Sequence, residues 1–214
     1  MEFIYNDGGR SNYFKASNVS DCVCRALCNT TGVDYKVMYD LINKIAKLEK
    51  VSNPSTARNG VYKDSWKKIL KALQAEEIKV QEFGSSIKCH LCDEDLIDYN
   101  KGKYILSLSH HMSSLINGRL VDTYDCSRDG DRQVYKMYKM NKSVDEYNQL
   151  IESFNKELDK KINNKEKKET REVKRNIRLH KQLEDIDKQI EDTKKLLSNL
   201  REQRANIVCK IYNR

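Results

Sequence analysis

The chain has 214 residues, 34% of them charged, a formal net charge of +8 and a mean hydropathy of −0.80. Such a composition supports one core of modest size with an extension, not two large domains. The opening MEFIYNDGG lacks the basic-then-apolar order of a secretion signal, and no apolar run is long enough to span a bilayer, so a cytoplasmic protein without a membrane segment is expected. Seven cysteines is an odd count without the regular spacing of a disulfide framework, which predicts thiols in a reducing compartment. Basic residues alternate with acidic ones along most of the chain, a pattern that favours a solvated surface over a nucleic-acid interface.

In chain order, Asn6-Asp7-Gly8-Gly9-Arg10 has the chemistry of a loop. A helix is predicted from near Asp21 to Thr31, with Cys22, Ala26 and Leu27 opening its apolar stripe and Gly32 suited to a left-handed cap. Met38, Leu41, Ile42, Ile45 and Leu48 predict a second helix over about 34–49. The only proline, Pro54, precedes a loop that runs into Arg58-Asn59-Gly60-Val61, and Trp66, Ile69, Leu70 and Leu73 mark a third helix. After residue 76 the apolar period shifts toward two, predicting strands at Ile78 with Val80, Tyr104–Leu108, Met112–Ile116, Arg119–Asp122 and Gln133–Lys139. Asn117-Gly118 between two of these runs predicts a tight hairpin, because a type I′ turn needs positive φ at both central positions. Helices followed by strands predict an α+β domain over 1–140, with N-terminal helices packed on a mostly antiparallel sheet.

Residues 141–214 lack glycine and proline and carry dense charge. Leu179, Leu183, Ile186, Ile190, Thr193, Leu197, Leu200, Arg204, Ile207 and Ile211 step by four and three, the seam of a coiled coil of about five heptads. Thr193 and Arg204 interrupt that seam and would lower its stability while specifying register. Val144, Tyr147, Ile151, Phe154 and Leu158 repeat the step, and the polar stretch between the two runs is either a solvated helical bridge or the bend of a helical hairpin.

The chemistry concentrates at Ser20-Asp21-Cys22-Val23-Cys24-Arg25. With Asp21 as the cap, Cys22 falls in the first turn, where free amides and the helix dipole stabilise a thiolate. Read differently, Cys22, Cys24 and Cys28 are small apolar residues of a core. Four histidines are available as a base: His90, His110, His111 and His180. Closing the hairpin around Asn117-Gly118 sets Ile116 opposite Arg119, which brings His111 and Asp122 to one face as diagonal neighbours. The same register sets His110 opposite Asp125 on the other face, so geometry leaves two histidine–carboxylate pairs open. Either would supply a base and the group that orients it.

The order Asn-Asp-Gly-Gly-Arg, Asp21-Cys22-x-x-Arg25-Ala26, Arg58-Asn59-Gly60-Val61, then His111, Gly118 and Asp122-Thr-x-Asp125-Cys126-Ser127-Arg128 resembles small papain-like cysteine-peptidase-fold proteins of unknown function from bacteria and phages. The resemblance covers about residues 5–138. Cys-x-x-Arg-Ala also looks like the nucleophile helix of ovarian-tumour-type deubiquitinases. What the resemblance implies is a phage-encoded or bacterial hydrolase, a peptidase or isopeptidase, with Cys22 as nucleophile, His111 rather than His110 as base, and Asp122 as orienter. The glutamine that often precedes such a cysteine as an oxyanion donor is missing, and Asn18 stands as its substitute. No cofactor and no metal are implied, and the partner is a protein substrate.

Two other readings compete. Cys89-His90-Leu91-Cys92 is half of a zinc site, without a second Cys-x-x-Cys to complete it. An inactive peptidase-like head, presented by the coiled coil as an interaction, virion or host-takeover protein, would need only the seam over 179–211, through which the chain is expected to self-associate. Nucleic-acid binding through Lys165, Lys167, Lys168 and Arg171 would show steep salt dependence.

Overall fold

The computed structural model describes residues 2–15, 19–78, 80, 90–91 and 101–212, and the chain divides into two compact units, 1–162 and 163–214. In the first unit, α1 (Cys22–Thr31) ends where expected: Gly32 is left-handed, with φ +73°, and its N–H donates to the Cys28 carbonyl at 2.8 Å. Helix α2 (Tyr35–Ala46) starts from Asp34, whose carboxylate accepts the N–H groups of Lys36 and Val37, satisfying two of the donors a helix start leaves unpaired. Helix α3 (Lys63–Ala72) buries Trp66, Ile69 and Leu70. These stripes meet in one core with Leu27, Met38, Leu41, Ile42 and Ile45.

The strands are β1 (Phe3–Tyr5), β2 (Glu76–Ile78), β3 (Lys103–Leu108), β4 (His111–Ile116), β5 (Arg119–Asp122) and β6 (Val134–Lys139). They form one six-stranded sheet in the order β1-β5-β4-β3-β6-β2. The sheet is mostly antiparallel, as expected, and becomes a mixed one because β1 pairs in parallel with β5, Phe3 facing Leu120 and Tyr5 facing Asp122. A three-residue edge strand is too short to show a period of two, so the sequence pattern does not mark it. The Asn117-Gly118 hairpin closes as predicted, with φ of 49° and 76° and Ile116 opposite Arg119. Alternation along β3 splits the apolar residues: Ile105 joins the helical core, whereas Tyr104, Leu106 and Leu108 form a second cluster with Leu115, Val134 and Met137.

The last element, α4 (Val144–Tyr212), is helical throughout, so the polar stretch after Asp159 is a solvated helical segment and not a hairpin bend. Its opening turns belong to the first unit: Tyr147, Ile151 and Leu158 are buried in the helical core. The compact unit therefore ends at Ile162, some way beyond the boundary expected near 140, because the apolar run from 144 to 158 packs inward as core. In the second unit the seam side chains from Leu179 to Ile207 are exposed. Among the described residues, no helix is long and apolar enough to cross a membrane.

Candidate active site

Three elements converge on one cluster. Cys22 is the first residue of α1, His111 the first of β4, and Asp122 the last of β5. The hairpin register that sets Ser114 opposite Val121 brings His111 Nε2 to 2.8 Å from Asp122 Oδ2. Both side chains are buried, at 8% and 3% exposure, which keeps water from competing for the bond. Cys22 is half-buried and lines the same cleft as the imidazole, whose charge acts on its thiol. The ring of Tyr124 packs 5.3 Å from that of His111 and covers it.

His110 takes no part in this cluster. It lies in the two-residue turn between β3 and β4, exposed and with φ +53°, so the alternative pairing with Asp125 across a continuous strand does not form. Asp125 instead accepts the Ser127 N–H at 2.8 Å. His180 lies in the second unit and is exposed. Asn18, the expected oxyanion donor, and the Cys89 and Cys92 pair lie outside the described residues.

Asp21 stands at the N-cap position of α1, but its carboxylate makes no capping bond. The expectation that it caps the helix is corrected: it is buried and bound by Arg25, by Arg10 at 3.5 Å and by the Tyr35 hydroxyl, which donates at 2.7 Å. Arg25 reaches on with its other nitrogen to Asp122 Oδ1 at 3.1 Å. One guanidinium thus ties the start of α1 to the carboxylate that holds the histidine. The glycines of the opening loop permit this arrangement, since a Cβ on Gly8 would come within 3.2 Å of the Arg25 backbone, while Gly9 leads directly into the buried Arg10. Arg25 was part of the motif in the sequence without a role; its i, i+4 spacing from Asp21 was the available signal.

The electrostatics follow from these contacts. Burial pushes the Cys22 thiol up, but the hydrogen bond and charge of His111 and the Met112 backbone pull it below the ordinary thiol value. Burial pushes the His111 imidazolium down, yet the bonds to Asp122, Cys126 and Cys22, with the Asp122 charge, carry it up to about 12. Burial would raise the Asp122 carboxyl, and the His111 bond and charge hold it lower than usual. The shifts of Cys22 and His111 both run toward a thiolate beside an imidazolium, with Asp122 as the anchoring carboxylate. Cys24 and Cys28 are different: both are buried among the apolar residues of the helical core.

An open cleft of about 770 Å³ exposes the cluster. Gly60, Val61, Trp66, Leu108 and Tyr135 line it beside Cys22 and His111. The loop carrying Gly60 is tied to the start of α1 by the Ser20 N–H, which donates to the Arg58 carbonyl at 2.8 Å. Gly60 has φ +94° and no atom within 4 Å of where a Cβ would sit, so its backbone faces open space.

Cys126 is the neighbour the sequence reading missed. It is buried, and its sulfur forms with His111 and Asp122 a group of three donor atoms within 4.8 Å of one another. Sulfur, imidazole and carboxylate are zinc-type donors. Asp122 nevertheless already bonds the ring at 2.8 Å, and a metal would have to displace that bond before it could bind. The arrangement fits a charged acid–base pair better than a metal centre. No family model, curated protein or solved structure matches this chain.

Proposed function

We propose that the first unit is a papain-like cysteine hydrolase that cleaves amide bonds, as a peptidase or isopeptidase. The observation that carries this reading is the His111–Asp122 pair, bonded at 2.8 Å, on the same open cleft as Cys22, which stands at a helix start. The thiolate attacks a carbonyl carbon, and the His111 imidazolium then gives its proton to the departing amine, leaving a thioester on Cys22. His111, now neutral, takes a proton from water as the oxygen attacks that thioester; the acid leaves and the thiolate–imidazolium pair returns. Asp122 keeps the ring oriented through both proton transfers and stabilises its charged form. The Cys22 N–H at the head of α1 is positioned as one donor to the developing oxyanion.

The test is labelling of the native protein with a thiol-reactive electrophile, with the modified residue identified by mass spectrometry. Cys22 is expected to react well ahead of Cys209, an exposed cysteine of the second unit. His111→Ala is expected to slow that reaction sharply, and Cys22→Ala to remove it. Equal rates at Cys22 and Cys209 would defeat the hydrolase reading. A second reading, a binding protein built on an inactive peptidase-like head, draws on the exposed seam of the second unit, a surface suited to association with another helix. It would take over on that outcome.

A further inference from the structure

The second unit is helical over its described residues, and its apolar stripe is left exposed: Leu183, Ile190, Leu197, Leu200 and Ile207 are each between 47% and 59% exposed. We propose that this stripe is covered by a second copy of the same chain running antiparallel, with the two helices centred on each other at Lys195. The proposal gives orientation and register to the self-association through 179–211 and stands apart from the hydrolase reading.

Its basis is self-complementarity. The four-three steps place Leu183, Ile190, Leu197 and Arg204 at one set of seam positions and Ile186, Thr193, Leu200 and Ile207 at the other. When the whole seam overlaps its antiparallel copy, every member of the first set meets a member of the second. Leu183 faces the partner's Ile207, Ile190 the partner's Leu200, Leu197 the partner's Thr193, and Arg204 the partner's Ile186. Both polar interruptions then lie against an aliphatic side chain. In a parallel pair Arg204 would face the partner's Arg204, confining two cations in one apolar layer, and Thr193 would face the partner's Thr193.

The flanking positions favour the same arrangement. In the antiparallel register Asp187 lies beside the partner's Arg201, twice by symmetry, and the half-exposed Leu196 lies beside the partner's Leu196. The single like-charge contact, Lys194 with the partner's Lys194, can extend its long stems to solvent. A parallel pair would set Gln182 beside the partner's Asp187, Gln189 beside the partner's Lys194 and Leu196 beside the partner's Arg201, with no opposite charges joined.

The experiment uses the full chain in a Cys22→Ser, Cys209→Ser background, with Leu183→Cys and Ile207→Cys introduced into separate preparations. After mild oxidation, the antiparallel register predicts a disulfide-linked dimer only in the mixture of the two, with the bond mapped between 183 and 207. Self-linking of either variant alone, with the bond mapped between two copies of the introduced cysteine, overturns the proposal in favour of a parallel pair. A monomer by light scattering at about tens of micromolar, a range that supports ordinary association, overturns it as well. In the unmodified chain, Asp187→Arg and Arg201→Asp are each expected to raise the dimer dissociation constant several-fold and the double substitution to restore it. Additive losses in the double substitution would contradict the register.

Discussion

Arg25 is the residue on which the cluster depends. Its guanidinium bridges two buried carboxylates, Asp21 at the start of α1 and Asp122 at the end of β5. Arg25→Met keeps much of the side-chain volume and leaves both acids without their shared cation. The expected loss is about 3–5 kcal/mol in a urea unfolding curve, the usual cost of breaking one side of a buried pair. Asp122→Asn acts on the chemistry instead. It removes the charge that sustains the imidazolium, so Cys22 loses the cation that stabilises its thiolate, and alkylation near neutral pH should slow by about tenfold or more, the equivalent of one unit in acidity. The signs of the pH dependence differ for the two partners. His111 is raised, so its contribution to stability is complete below the ordinary imidazole range and is lost as pH rises through about 12. Asp122 is lowered, so its contribution is present above the ordinary carboxylate range and disappears as pH falls through its folded value.

At the scale of elements, the helix ends and the hairpin carry the geometry. Gly32 closes α1 with φ +73°, and a Cβ there would lie 2.9 Å from Val144 Cγ2 at the head of α4. Gly32→Ala is therefore expected to cost about 1–2 kcal/mol from the left-handed backbone alone, with a further contribution from the contact, seen as a lower melting temperature. The Asn117-Gly118 turn was legible in the sequence because its backbone requirement belongs to two residues, and it carried the His111–Asp122 pairing with it. The position of His110 was not legible. Nothing local distinguishes the last residue of a turn from the first of a strand, and only the pairing of Leu108 with His111 decides it. The capping assignment of Asp21 failed for a related reason, since the competing partners Arg10 and Tyr35 reach it from elsewhere in the chain.

At the scale of the whole molecule, hydrophobic pattern identified α4 but did not say which half of it is core. Tyr147, Ile151 and Leu158 obey the same step as the seam beyond Leu179, yet the former are buried and the latter exposed. The difference lies in what the rest of the fold presents to each, which periodicity does not encode. A chain ending after Ile162 is accordingly expected to unfold in one cooperative transition with Cys22 still reactive. A chain ending at Met140 should lose that transition, because three large side chains leave the core; circular dichroism on heating distinguishes the two. The central claim, a thiolate held by an imidazolium that Asp122 anchors, is tested most directly by the pH profile of Cys22 alkylation in the native protein against the same cysteine in denaturant. The account predicts that the native rate persists to pH values well below those at which the denatured thiol stops reacting, and that His111→Ala abolishes the difference. Coincident native and denatured profiles would contradict it.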